Sequence, residues 1–173
     1  MQADGINILI SLLREQEKTD REKMPDYSQA DWHGLCVQAV RHGIAGLLHH
    51  RLKEKELMAG VPADCAEKLR NSFFATFAKN IHIYQELLRV VELLQQEGIP
   101  VILLKGIHLA ECIYGHLGLR PMSDIDLLIP PDYIHQAIES MFRNGFKPFH
   151  AKDRPYFVKA ETGHFQIPAN KKH

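Results

Sequence analysis

The stretch Arg120-Pro121-Met122-Ser123-Asp124-Ile125-Asp126-Leu127-Leu128-Ile129 places two carboxylates two positions apart at the head of an apolar run. Residues i and i+2 of a β-strand point to the same face. Asp124 and Asp126 are therefore expected to project side by side from a strand whose remainder is buried. Burying an aspartate is costly unless it is paired or metal-bound. Two close carboxylates also repel unless a cation lies between them, and Mg2+, a hard ion that takes carboxylate oxygens, suits that position.

Upstream of this stretch, Val101-Ile102-Leu103-Leu104 is a continuous apolar run, the pattern of a strand buried on both faces. Lys105-Gly106 ends it, and Ile107, Leu109, Ala110 and Ile113 mark a short helix that stops near Gly115. Downstream, Pro131 can open a helix carrying Ile134, Ala137, Ile138, Met141 and Phe142, which Gly145 ends. Phe146 to Phe149, Tyr156 to Val158 and His164 to Ile167 are further strand candidates. Residues 98–173 thus read as an α+β or α/β half, with a mixed sheet flanked by helices.

Residues 1–97 have a different grammar, almost purely helical. Ile6, Leu9, Ile10 and Leu13 form one amphipathic stripe, followed by the charged run Arg14 to Lys23. Ser28 can cap a second helix with Trp32, Leu35, Cys36, Ala39 and Val40 on one face. His42-Gly43 interrupts it, and Ile44, Leu47, Leu48 and Leu52 begin a third. Pro62 suits the first turn of a long helix running to about Gln96 and ended by Gly98. Its apolar stripe is read as Ala66, Leu69, Phe73, Phe77, Ile81, Tyr84, Leu88, Val91 and Leu94, with Phe73, Phe74 and Phe77 in the core. Three or four such helices make a bundle, and nothing in them requires chemistry.

The chain has 173 residues, 45% hydrophobic and 24% charged, values of a soluble globular protein. No apolar run approaches the roughly 20 residues of a membrane span, and Met1-Gln2-Ala3-Asp4-Gly5 lacks the start of a signal peptide. A cytoplasmic location is expected. Lys plus Arg equal Asp plus Glu at 21 each, so no global basic field favours nucleic acid. Cys36, Cys65 and Cys112 are widely spaced with no Cys-x-x-Cys, which favours buried free thiols over a disulfide or a zinc site. The eleven histidines show no His-Glu-x-x-His spacing, and adjacent His49 and His50 diverge by about 100° on a helix. No histidine-based metal site is expected.

The phrases Leu104-Lys105-Gly106, Leu109-Ala110, Tyr114, Arg120, Asp124 to Leu128, Ala137 and Gly145-Phe146 together resemble the uncharacterised nucleotidyltransferase family of the DNA polymerase β-like superfamily. Ala39, His42-Gly43-Ile44 and Leu47-Leu48 extend the resemblance into the helical half. It implies a helical bundle followed by a minimal nucleotidyltransferase fold, and transfer of a nucleoside monophosphate from a nucleoside triphosphate, ATP by default, to an acceptor. Two Mg2+ (or Mn2+) ions about 3.5–4 Å apart would stabilise the attacking and leaving oxygens. Asp124 and Asp126 would be the catalytic, metal-binding pair, and Lys105, Gly106, Arg120 and Ser123 would lie toward the triphosphate. Plainer roles remain for each: a strand-opening cap at Asp124, a strand-ending turn at Lys105-Gly106, a surface ion pair at Arg120.

The family's third carboxylate lies on a later strand. The sequence reaches Ala169-Asn170-Lys171-Lys172-His173 about where that strand is expected to begin. Asp153 and Glu161 are the only acidic residues after Glu139, and neither stands in an apolar context. The sequence therefore reads as a truncated enzyme, or as a catalytically inactive member that binds nucleotide or a partner. An unpaired sheet edge would favour self-association.

Overall fold

A computed structural model describes residues 2–14, 27, 30–146 and 164–168. Its internal contacts divide the chain into two compact units, Met1–Ala78 with His116–Pro121, and Lys79–Gly115 with Met122–His173. The sequence grammar changes near residue 97, whereas the units meet at 78/79, inside one long helix.

The first unit contains α1 (Gln2–Leu13), α2 (Trp32–Arg41), α3 (Ala45–Glu54) and the first half of α4 (Ala63–Gln96). Asp31 caps α2, its carboxylate accepting from the Gly34 backbone N–H at 3.0 Å. Ser28, the expected cap, lies outside the described residues, as does most of the charged run. Gly43 reverses the chain after α2 with φ +69°, a conformation that favours glycine. The core gathers Leu9, Leu12, Trp32, Leu35, Cys36, Ala39, Leu48, Leu52 and Leu69. Val40, expected on the buried face of α2, is exposed. Residues 116–121 pack closely: a Cβ at Gly46 would run into the Gly118 carbonyl, and one at Gly118 would lie 2.6 Å from the Phe73 ring. Phe73 and Phe77 are half-buried beneath the His116 ring, at 5.0 and 5.3 Å, while Phe74 is exposed. The expected phenylalanine core is thus a partly wetted stack. Cys36 and Cys65 are buried free thiols as expected, but Cys112 is exposed.

The second unit contains the rest of α4, then β1 (Ile102–Leu104), α5 (Gly106–Cys112), β2 (Asp124–Leu128), a 3-10 turn at Pro131–Tyr133, α6 (Ile134–Arg143) and β3 (His164–Pro168). The strands form one sheet in the order β1-β2-β3, antiparallel at both pairings, so the class is α+β and the expected mixed sheet is antiparallel among the described residues. Phe146 follows α6 without strand structure, and the rest of that candidate, 147–149, and Tyr156 to Val158 lie outside the described residues.

The buried line on the second half of α4 is Asn80, Ile83, Leu87, Val90 and Leu94. The expected line through Ile81, Tyr84 and Leu88 is rotated by one residue, and Leu88 is exposed. Both rows are apolar at helical spacing, so periodicity alone could not choose between them. On α6, Ile134, Ala137, Ser140 and Met141 are buried. Both ends of α6 are tied to Glu97, just past α4, by Arg143 Nη2 to Glu97 Oε1 at 2.7 Å and by Gln136 Nε2 donating to the Glu97 carbonyl at 3.0 Å.

Candidate functional site

β2 alternates as an amphipathic strand should. Ile125 and Leu127 are buried on one face, and Asp124 and Asp126 are half-buried on the other. The strand is therefore buried on one side only, and Leu128, beyond the aspartates, is exposed. The ladder pairs Leu104 with Asp126 and Ile102 with Leu128, so these side chains share the aspartates' face. Ile102 is 61% exposed, so β1 is not the doubly buried strand its composition suggests. The carboxylates thus stand on a sheet face edged by aliphatic side chains.

Lys105 follows the strand residue paired with Asp126, which brings it to the same end of the sheet. Its Nζ lies 3.1 Å from Asp126 Oδ2, with the lysine side chain 66% exposed and the carboxylate 12%. The Lys105 backbone has φ +46° and ψ −111°, a region that favours glycine. Such outliers cost on the order of 1–3 kcal/mol and persist where the surroundings impose them. Here the strained residue carries the cation facing the acidic pair.

Ser123 Oγ donates to Asp124 Oδ1 at 3.2 Å, which leaves the other oxygen of Asp124 outside that bond. Gly106 opens α5 against Met122: a Cβ there would lie 3.2 Å from Met122 Sδ. Two expected neighbours of the pair, Ser123 and Lys105, therefore touch it directly, while Gly106 supports the turn. Arg120 belongs to the other compact unit, where it is half-buried. His108 is exposed and Tyr114 half-buried.

One contributor has no local sequence signal. Asn80 is fully buried in α4, and its Oδ1 accepts from the Met122 backbone N–H at 3.2 Å. Met122 lies two residues before Asp124, so this bond fixes the entry into β2. A polar residue on an otherwise apolar helix row is the only hint the sequence offers.

β3 lies alongside β2 within the chain, earlier than the expected third-carboxylate strand, and the register places position 166 directly opposite Asp126. That residue is Gln166, and none of His164 to Pro168 is acidic.

A family model described as "uncharacterised nucleotidyltransferase" matches residues 28–172, which include both aspartates, Lys105, Gly106 and β3. The chain belongs to this family. No curated protein and no solved structure matches it. Membership in the uncharacterised nucleotidyltransferase family supports a general nucleotidyltransferase function. Among the described residues, no helix is long and apolar enough to cross a membrane.

The donor set fits a hard divalent cation. Asp124 and Asp126 offer carboxylate oxygens from one strand face, and Asp126 already holds a positive group, the Lys105 ammonium, at contact distance. A cationic partner is what two same-face carboxylates require.

Proposed function

We propose that the chain transfers a nucleoside monophosphate from a nucleoside triphosphate, with ATP as donor, to an acceptor hydroxyl or phosphate. Asp124 and Asp126 would hold Mg2+ or Mn2+, which when bound supplies charge to the attacking and leaving oxygens of an in-line displacement. The observation that carries the reading is the same-face aspartate pair with Lys105 Nζ 3.1 Å from Asp126.

The remaining roles follow from these residues' own chemistry. Ser123 orients the Asp124 carboxylate through its 3.2 Å hydrogen bond. Lys105, mostly exposed, can turn from Asp126 toward a triphosphate once the acidic pair is otherwise neutralised. Gly106 lets the turn approach closely.

A second reading has its own support. The register sets position 166 opposite Asp126, and none of His164 to Pro168 is acidic, so the strand paired beside the aspartates brings no third carboxylate. Two carboxylates without a third favour nucleotide binding without turnover.

The test is thermal unfolding with Mn2+ or Mg2+ and ATP, run beside a pyrophosphate-release assay over a panel of acceptors. A ligand at about 100 times its Kd stabilises the native state by about 2.7 kcal/mol. Stabilisation that vanishes in Asp124→Ala/Asp126→Ala supports the site, and pyrophosphate release then supports transfer. Stabilisation without release across the panel favours the binding-only reading. An unchanged melting temperature in the parent chain rejects both.

A further inference from the structure

The first unit holds a second group of metal-ligating side chains, separate from the aspartate pair. His33, in the first turn of α2, places Nε2 3.0 Å from Asp64 Oδ2, in the first turn of α4. Cys65 Sγ lies 4.0 Å from the same oxygen. One atom from each of His33, Asp64 and Cys65 lies within 4.8 Å of the other two. We infer that His33, Asp64 and Cys65 form a Zn2+ site that ties the first turn of α2 to the first turn of α4.

Nitrogen, oxygen and sulfur donors are the zinc set, and bond lengths of about 2.0–2.3 Å put tetrahedral ligands roughly 3.3–3.8 Å apart. The present separations need a closure on the order of 1 Å, and the two side chains that must move, His33 and Asp64, are 69% and 68% exposed. Cys65 is buried and gives the site its fixed point. The thiolate discriminates against Mg2+, which prefers oxygen ligands, so this site and the aspartate pair select different ions. Binding exchanges the Cys65 S–H bond for a metal–sulfur bond and releases that proton to water; the proton that His33 Nε2 shares with Asp64 Oδ2 passes to Nδ1 or to water, which frees the Nε2 lone pair, and Asp64 adds a carboxylate oxygen. Three protein ligands leave a fourth position for water. An open groove lined by Asp64, Glu67, Lys68, Asn71, Ser72 and Ala75 gives solvent access beside Asp64.

The probe is Co2+, which replaces zinc and reports sulfur ligation by a thiolate-to-cobalt charge-transfer band in the near ultraviolet. The chelator-treated full chain is titrated beside its Cys112→Ser variant, which removes the exposed thiol. The expected result is a charge-transfer band that saturates at about one thiolate-bound equivalent, survives Cys112→Ser and is displaced by Zn2+, and loss of the band in Cys65→Ser. His33→Ala, at an exposed position, should fold normally by circular dichroism and lower Co2+ affinity by about tenfold or more. Absence of the band in the parent chain overturns the proposal, as does a band that survives Cys65→Ser or an affinity unchanged in folded His33→Ala. Asp124→Ala/Asp126→Ala should leave the band intact; its loss there would also count against a separate site.

Discussion

Lys105 Nζ lies 3.1 Å from Asp126 Oδ2, so the residue that ends β1 neutralises the carboxylate opposite that strand's last position. The same residue holds φ +46°, which only glycine adopts cheaply. With the lysine end of the pair in solvent, the ion pair itself contributes only about 0–1 kcal/mol.

The strain can be separated from the charge by comparing Lys105→Gly with Lys105→Ala. Both lose the ion pair, but only glycine relieves the backbone. Lys105→Gly should be the more stable by about 1–2 kcal/mol in urea denaturation. Equal stabilities would mean the backbone at 105 is unstrained.

Charge is addressed by Lys105→Gln. Without its tethered ammonium, Asp126 is free for an added cation, so Mn2+ alone should bind up to about fivefold tighter. Triphosphate affinity in the presence of Mn2+ should move the opposite way if the ammonium serves the phosphates. Calorimetric titration reads both, and weaker Mn2+ binding in the variant would exclude competition between Lys105 and the metal.

Asn80→Ala should cost about 1–3 kcal/mol, since it leaves the buried Met122 N–H without its 3.2 Å acceptor. Amide exchange should accelerate at Met122 first. If exchange there is unaffected, Asn80 does not position the entry to β2.

Legibility followed the range of the interaction. The shared face of Asp124 and Asp126 was readable because strand period two is a local property. The end of α4 at Gly98 was readable for the same reason. Asn80 was not, because its Met122 partner is 42 positions away and its place on an apolar helix row is the one local sign. Nor was the His33, Asp64 and Cys65 group, whose members come from two helices with no motif spacing. At Lys105 local preference pointed away from the conformation adopted. The register that sets Gln166 against Asp126 depends on pairing across a long connection, which spacing does not encode.

His49 makes stability depend on pH. Burial first, then the charges of Lys53, His50 and Arg70, hold its pKa below the ordinary 6.5. Its ring sits 5.6 Å from Phe73, and Nδ1 has no hydrogen-bond partner among the described residues. The unfolded chain therefore takes up this proton at a higher pH than the folded one. The stabilising contribution is fully present above about pH 6.5 and is lost as pH falls toward the depressed folded value. His49→Phe should flatten this part of the melting-temperature profile between about pH 7 and 5. A wild-type slope retained in the variant would assign the dependence to another group.

Neither compact unit is a continuous stretch of chain, because residues 116–121 return to the first after the second has begun. During synthesis the first unit lacks this segment, including the Gly118 that fits beneath Phe73, until well after α4 has emerged. Ribosome-bound intermediates ending before residue 116 should then be protease-sensitive around Gly46 and Phe73 even though every helix of that unit has been made. A fragment cut at residue 98 would omit Asn80 and the buried row from Ile83 to Leu94, leaving the aspartate strand without the helix that anchors its approach.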